Sequence, residues 1–419
     1  MFDSRNFAIK DIKVYENGEL RTAAAVIRGG HIEVADEISD SSLPLLALND
    51  AILLPGFADV HVHLREPGFS YKETIRTGTA AAAAGGYTAV CSMPNLNPVP
   101  DSAENLRAQL EIIKKDALIR VCPYGAITVG QKGETLAALE ELAPNAIAFS
   151  DDGKGVQSED MMREAMLRAK ALGKMIVAHC EDESLLRGGC IHDGEYARAH
   201  SIPGICSESE WGPIERDLKL VEETGCAYHV CHISTKEAVQ LIREAKAKGL
   251  DVSCETAPHY LVFCDSELED SGRFRMNPPI RSAEDRDALI EGILDGTIDM
   301  IATDHAPHSE EEKSRGLRGS LNGIIGLESA FPVMYTHFVK TGRMSLQRLM
   351  ELMVYAPRRR FGIALGVGDF ALWELGESYI YDPKTTHAGK GTSSPFDGME
   401  LYVAHRFTAL NGEIVDFKK

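Results

Sequence analysis

No C-x-x-C pair occurs among the nine cysteines of this 419-residue chain, and their number is odd. That pattern speaks against a disulfide framework and predicts free thiols in a reducing cytoplasm. No apolar run approaches the ~18 residues of a membrane-spanning helix. The opening stretch "MFDSRNFAIKD" lacks a basic region followed by an apolar one, so no signal peptide is expected. Positive charge is scarce: 44 Lys and Arg stand against 63 Asp and Glu, a net charge of −19. No nucleic-acid partner is expected, because phosphate contacts need clustered basic side chains. A small anionic substrate remains compatible, since one pocket can be locally positive.

What is present is a chain with 44% hydrophobic residues, ample for a large core. The length suits one α/β barrel of roughly 250 residues or more plus a smaller unit. Residues 1–54 read as short strands: "FAIKDIKVY", "AAAVIRGGHIEV" and "AILLPG", broken by "ENG" and "RGG". From residue 55 to 363, strand-like runs alternate with helical stretches. Eight candidate strands stand out: "GFADVHVHL", "YTAVCSMP", "IRVCPYGAI", "AIAFSDDG", "MIVAHC", "AYHVCHIS", "DVSCETAPHY" and "DMIATDHAPH". Helical segments such as "SAENLRAQLEIIKK" and "STKEAVQLIREAKAKG" lie between them, with polar residues near their starts. Eight such repeats predict a (β/α)8 TIM-type barrel of the α/β class. Residues 364–419 return to short strands, with "NG" at 411–412 as a hairpin signal. The two chain ends, 1–54 and 364–419, are expected to pair into one small β-sandwich beside the barrel.

Side chains two apart on a strand share a face, so His61 and His63 point together. Alone, H-x-H is weak evidence of a metal. Asp151 and Asp152 end the fourth candidate strand, His179 the fifth, His232 the sixth and Asp304 the eighth. The C-terminal strand ends carry the chemistry in this fold. Each residue has a bland reading. "SDDG" is a common turn, each histidine could be a satisfied core residue, and Asp304 could cap a loop. Five strand ends bearing such groups together suit a pair of zinc ions, with one carboxylate as bridge. Cys180 and Cys231 neighbour ligand candidates, and strand alternation predicts that both face away, against the helices.

The motifs "PGFADVHVHLREPG", "MPNLNP", "FSDDGKGVQ", "VAHCED", "RMNPP", "ATDHAPH" and "NGIIGLE" resemble the amidohydrolase superfamily. "HLREPG" followed by "MPN" is similar to the dihydroorotases, over nearly the whole chain. The resemblance implies two metal ions and reversible interconversion of N-carbamoyl-L-aspartate and L-dihydroorotate, a step of pyrimidine synthesis. It implies that His61, His63 and Asp304 hold one zinc ion and His179 and His232 the second. Asp152 and a hydroxide would bridge them, where many relatives use a carboxylated lysine. Asp151 then shapes the turn, and Asp304 doubles as the proton shuttle.

Arg65 continues the spacing of His61 and His63 and suits bidentate binding of the substrate carboxylate. The resemblance adds Asn95 and His308 to this clamp, and Asn277 with Asn322 and Gly323 as ring contacts. Asn95 also reads as a turn former. Asn322 stands where an aromatic residue often precedes that glycine, so the contact expected there is through the backbone. "SEEEKSRGLRGSL" at 309–321 is either a solvated loop or a lid over the barrel mouth. A homodimer is expected, and association with aspartate carbamoyltransferase stays open. The rival readings are a hydantoinase or allantoinase, whose substrates lack the carboxylate that Arg65 would hold, and a metal-free scaffold.

Overall fold

A computed structural model describes residues 5–386 and 388–417. The barrel begins with strand Phe57–Val62, which pairs in parallel with Tyr87–Ser92, itself parallel to Arg120–Pro123. A second parallel run joins Ile176–Ala178, Tyr228–Val230, Val252–Thr256 and Met300–Ile301. Two narrow links complete the ring. Phe149 bridges Gly125 on one side and Ile176 on the other, and Val62 bridges His305. The fourth expected strand is therefore only a bridging residue with ladder bonds, Ile147 N to the Pro123 carbonyl and Phe149 N to that of Met175. The chain bends directly afterwards, where Asp151 accepts hydrogen bonds from the backbone N–H groups of Ile127 and Thr128. Asp151 thus shapes the turn, and Asp152 is the residue turned inward.

The intervening helices start where their sequences say they should. Thr74, Ser102, Ser158, Thr235 and Ser282 each accept a hydrogen bond from the backbone three residues on. Such caps satisfy donors that a helix start leaves bare. The alanine-rich helix Ile75–Ala84 is almost wholly buried. Beyond it Gly86 takes a φ of 82°, and a Cβ there would lie 2.7 Å from the Trp373 ring. Only glycine permits that approach.

The chain ends meet in one sheet. Strands Phe7–Glu16, Glu19–Arg28, His31–Ala35 and Ala51–Pro55 from the front join Phe370–Ile380, Glu400–Leu410 and Glu413–Ile414 from the back. The seven strands close into a ring instead of forming two stacked sheets as a sandwich would. Ala51–Pro55 is what closes it, because it pairs with the first strand and with Phe370–Ile380. The 411–412 hairpin forms as its "NG" predicts, with both residues at positive φ. Trp373 carries this sheet onto the barrel, its ring 6.0 Å from that of Phe57 and 4.7 Å from that of Phe331. Among the described residues no helix is long and apolar enough to cross a membrane.

Candidate metal centre and active site

The strand that delivers His61 and His63 is not regular. Its pairing slips between Asp59 and Val62, so Val60 joins the apolar barrel interior while His61 also faces inward. His232, Asp304 and Arg65 each adopt positive φ, of 30°, 47° and 61°. The chain thus leaves strand geometry where the chemistry-bearing side chains must converge, a strain that well-packed sites can hold.

Asp152 is the hub. Its carboxylate lies 3.3 Å from His61 Nε2, 3.4 Å from His63 Nε2, 3.6 Å from His179 Nδ1 and 3.4 Å from His232 Nε2. Asp304 Oδ1 lies 3.0 Å from His63 Nε2 and 3.6 Å from His61 Nε2. All six residues are buried, and all six sequence-predicted ligands are together.

The cluster fits divalent cations. His61 Nε2 and Asp152 Oδ1 have no hydrogen-bond partner among the described residues although both are buried. Leaving such atoms bare is costly, and an ion between them would satisfy both. Bonds of ~2.0 Å in a tetrahedron put ligand atoms roughly 3.3 Å apart, close to the separations here. Burial alone would depress the His61 pKa, but Asp152 above all pushes it well above its ordinary value. Burial alone would raise Asp152 and Asp304, yet the imidazoles around them hold both below the usual carboxylate range. The pocket therefore calls for positive charge, from protons or from metal ions.

Other residues aim the ligands. Glu255 Oε1 lies 2.7 Å from His61 Nδ1, which turns Nε2 toward Asp152. The other Glu255 oxygen is 3.1 Å from His229 Nε2, and His229 Nδ1 is 2.7 Å from Ser253 Oγ. Asn95 Oδ1 lies 2.8 Å from His63 Nδ1. Glu181 accepts a 2.7 Å hydrogen bond from Asn277 Nδ2, with its second oxygen 3.7 Å from His179 Nε2. Such partners fix ring orientation and tautomer at metal sites. Sequence reasoning missed Glu255, His229 and Glu181. The available signal was a lone Glu inside the otherwise apolar and small run "DVSCETA".

Cys180 packs in the barrel–helix core as expected, but Cys231 does not. Its sulfur lies within 4.8 Å of ligand atoms of His61 and Glu255. Alternation fails because the strand ends at Val230 and His232 turns to positive φ. Burial raises the Cys231 pKa well above its ordinary value. A neutral thiol is a poor metal ligand.

A cavity of about 260 Å³ opens over the cluster, and Arg65, Asn95, Asn277, His308, Asn322 and Gly323 all line it. Arg65 reaches it from a left-handed turn and not along the strand, so its shared face with His63 comes from the turn. Its Nε donates to the Pro307 carbonyl at 3.2 Å. Burial lowers its pKa to about 10, which leaves it cationic. Asn277 Oδ1 is buried without a partner among the described residues, an open acceptor at the cavity wall. The Asn322 side chain is exposed, while its carbonyl lies 2.7 Å from His308 Nε2. Gly323 N donates to the Arg275 carbonyl. Both backbone groups already have partners and form wall. Segment 309–321 is docked, with Lys313 Nζ donating to the Arg275 carbonyl at 2.9 Å and Leu317 N to Asp270 Oδ1 at 2.8 Å.

A family profile described as Dihydro-orotase-like matches residues 50–238. A dihydroorotase of Fusobacterium nucleatum is 46% identical over 419 residues, covering 98% of each chain. One of Bacillus caldolyticus is 49% identical over 387 residues, covering 90% of this chain and 88% of its own. The solved L-hydantoinase of Arthrobacter aurescens superposes with a TM-score of 0.82 at 25% identity, over 99% of this chain and 96% of its own. The barrel with its small β-unit is thus a fold shared with hydantoinases. The identity, nearly twice as high and spread over almost the full length, is with the other group: the chain belongs to the dihydroorotase family of cyclic amidohydrolases.

Proposed function

We propose that this chain interconverts L-dihydroorotate and N-carbamoyl-L-aspartate using two zinc ions. His61, His63 and Asp304 would hold one, His179 and His232 the other, with Asp152 between them. One observation supports this above the rest. A single cavity has the imidazole–carboxylate cluster in one wall and Arg65 with His308 in another. A hydantoin or allantoin ring brings no carboxylate for Arg65 to hold.

Ions bound at this cluster would polarise the ring amide and make water nucleophilic near neutral pH. The protein's own groups do the rest. Arg65 grips the carboxylate with its planar fork. Asn277 Oδ1 accepts a ring N–H. Asp304, ionised, takes the proton of the attacking water and delivers it to the departing ring nitrogen. Ring closure runs this in reverse and consumes one proton overall, so low pH favours the ring.

The test has two arms. Turnover of L-dihydroorotate is measured against hydantoin and allantoin, with zinc counted per chain; only dihydroorotate should open, with two equivalents bound. Equal turnover of hydantoin would move the assignment to the hydantoinases, and absence of metal would make the chain a scaffold. Chelated protein is then rebuilt with zinc in buffer stripped of carbon dioxide. Asp152 already carries its carboxylate, so zinc alone should restore activity. A strict bicarbonate requirement would mean that a carboxylated lysine bridges instead.

A further inference from the structure

His308 stands at the carboxylate end of the cavity, and its neighbours decide which ring nitrogen carries the proton. Nε2 lies 2.7 Å from the Asn322 carbonyl, so it must be the N–H. Burial, with Arg65 and Lys72 nearby, lowers the ring's pKa to about 3, so it is neutral. Nδ1 is then a lone pair, and Lys72 Nζ donates to it at 3.1 Å. Lys72 is itself fixed by Glu312, with Nζ 3.1 Å from Oε1 and the two side chains only 11% and 17% exposed. Glu312 is anchored in turn. It accepts from Ser309 N at 3.0 Å, from Ser309 Oγ at 3.2 Å and from Tyr71 OH at 3.2 Å.

One further distance gives this arrangement its meaning. Glu312 Oε2 lies 3.3 Å from His308 Nδ1, and Arg65 NH2 lies 3.3 Å from His308 Nε2. If Lys72 were absent, the Asn322 carbonyl alone would hold the proton on Nε2 against the pull of the Glu312 carboxylate, and the other tautomer would come within reach. Nδ1–H would donate to Glu312, and Nε2 would become a lone pair that accepts from Arg65. A carboxylate arriving there would then lose one arm of the Arg65 fork, which the Nε2–H form leaves free. It would also meet the repulsion of an imidazole lone pair.

We propose that Lys72 is a positioning residue for substrate-carboxylate recognition: held by Glu312, it helps the Asn322 carbonyl keep His308 in the Nε2–H tautomer, which cannot accept from Arg65, and so keeps the Arg65 fork available as a donor. This rests on the dihydroorotase reading. Lys72 comes from the loop after the first barrel strand and Glu312 from the segment after the eighth. The pair therefore also ties segment 309–321 to the wall that recognises the carboxylate.

The tautomer argument makes an unusual prediction about a double variant. Lys72→Met should raise KM for L-dihydroorotate roughly 10- to 100-fold, the loss of a hydrogen bond to a charged group. The change in kcat should stay under about threefold, with bound metal unchanged, because the effect is one of uniform binding. Adding Glu312→Gln removes the acceptor that draws the proton to Nδ1 and puts an amide N–H in its place. Lys72→Met/Glu312→Gln should therefore recover at least about fivefold of the lost KM. A purely structural Lys72–Glu312 pair predicts the opposite, a double variant no better than the single one. That result, or a KM for Lys72→Met within about twofold of the parent, would overturn the proposal. The tautomer is also read directly, without substrate, by 15N–1H correlation on histidine-labelled protein, with the His308 signal assigned by its loss in His308→Asn. The Nε2–H form is expected in the parent and the Nδ1–H form in Lys72→Met; the same tautomer in both would equally overturn it. Failure of the parent to open L-dihydroorotate would instead remove the function reading and leave the spectroscopic arm to decide the tautomer.

Discussion

The barrel mouth and the ring of strands made by the chain ends solve opposite problems. The mouth buries histidines, carboxylates and an arginine at close quarters, each held by another polar group. The ring of strands buries Phe7, Ile9, Ile12, Val14, Ile27, Leu53, Leu372 and Phe407 against one another. Buried polar networks are worth little net stability and are costly when half-broken. Apolar cores are the reverse, since nearly all their free energy is burial. Side-chain losses in the mouth should cost function above all, because the groups there would touch metal or substrate, and losses in the ring should cost folding alone.

The strongest challenge to that contrast is His61→Ala. It removes a residue within reach of both carboxylates of the cluster. Metal content and nearly all turnover should be lost while the circular dichroism spectrum stays that of the parent. Full activity in the purified variant would end the two-metal assignment. A wholesale loss of fold would end the contrast itself.

Arg65→Met is the next step down. The substrate carboxylate would be left without its buried partner, at a cost of ~2–5 kcal/mol. That is roughly 30- to 5,000-fold in kcat/KM. Metal content should not change, which separates this wall of the cavity from the other. A loss under about threefold would remove Arg65 from the clamp.

Leu53→Ala probes the other region. Leu53 is fully buried and pairs with Val14 on one side and Leu372 on the other. Truncating it should cost ~2–5 kcal/mol of stability, through lost burial and the cavity left behind. The folded enzyme should keep its kcat/KM. A large kinetic effect with little thermal destabilisation would show that the ring of strands acts on the chemistry.

The same contrast explains what was readable in the sequence. The helices announce themselves through Ser and Thr caps, and most of the strands through apolar runs of the right length. The six metal-ligand candidates were legible because their residue types are unusual at strand ends. What was not legible depends on departures from regular geometry. Strand alternation placed Cys231 against the helices, but the left-handed turn at His232 brings its sulfur beside His61. The fourth strand shrinks to Phe149 because the Asp151 turn follows at once. Glu255 and Lys72 were passed over because each acts on a histidine distant in sequence, through contacts no local pattern encodes.

The smallest expected effect is an absence of change. An ordinary histidine has a pKa near 6.5 and would gain charge, and grip on a carboxylate, as pH falls through that value. His308 is held neutral down to about 3, chiefly by burial and then by Arg65 and Lys72. KM for L-dihydroorotate should therefore stay flat between about pH 8 and pH 5.5, while kcat moves with its own proton-transfer groups. The linkage to stability has a definite sign. Below about pH 6.5 the unfolded chain protonates this histidine and the folded one does not. Acidification from there toward the folded value therefore destabilises the protein, and Arg65, which stays cationic throughout, does not offset it. A KM that drops severalfold as pH falls through 6.5 would mean that His308 titrates normally. The carboxylate wall would then be a pH-responsive surface and not a fixed set of donors.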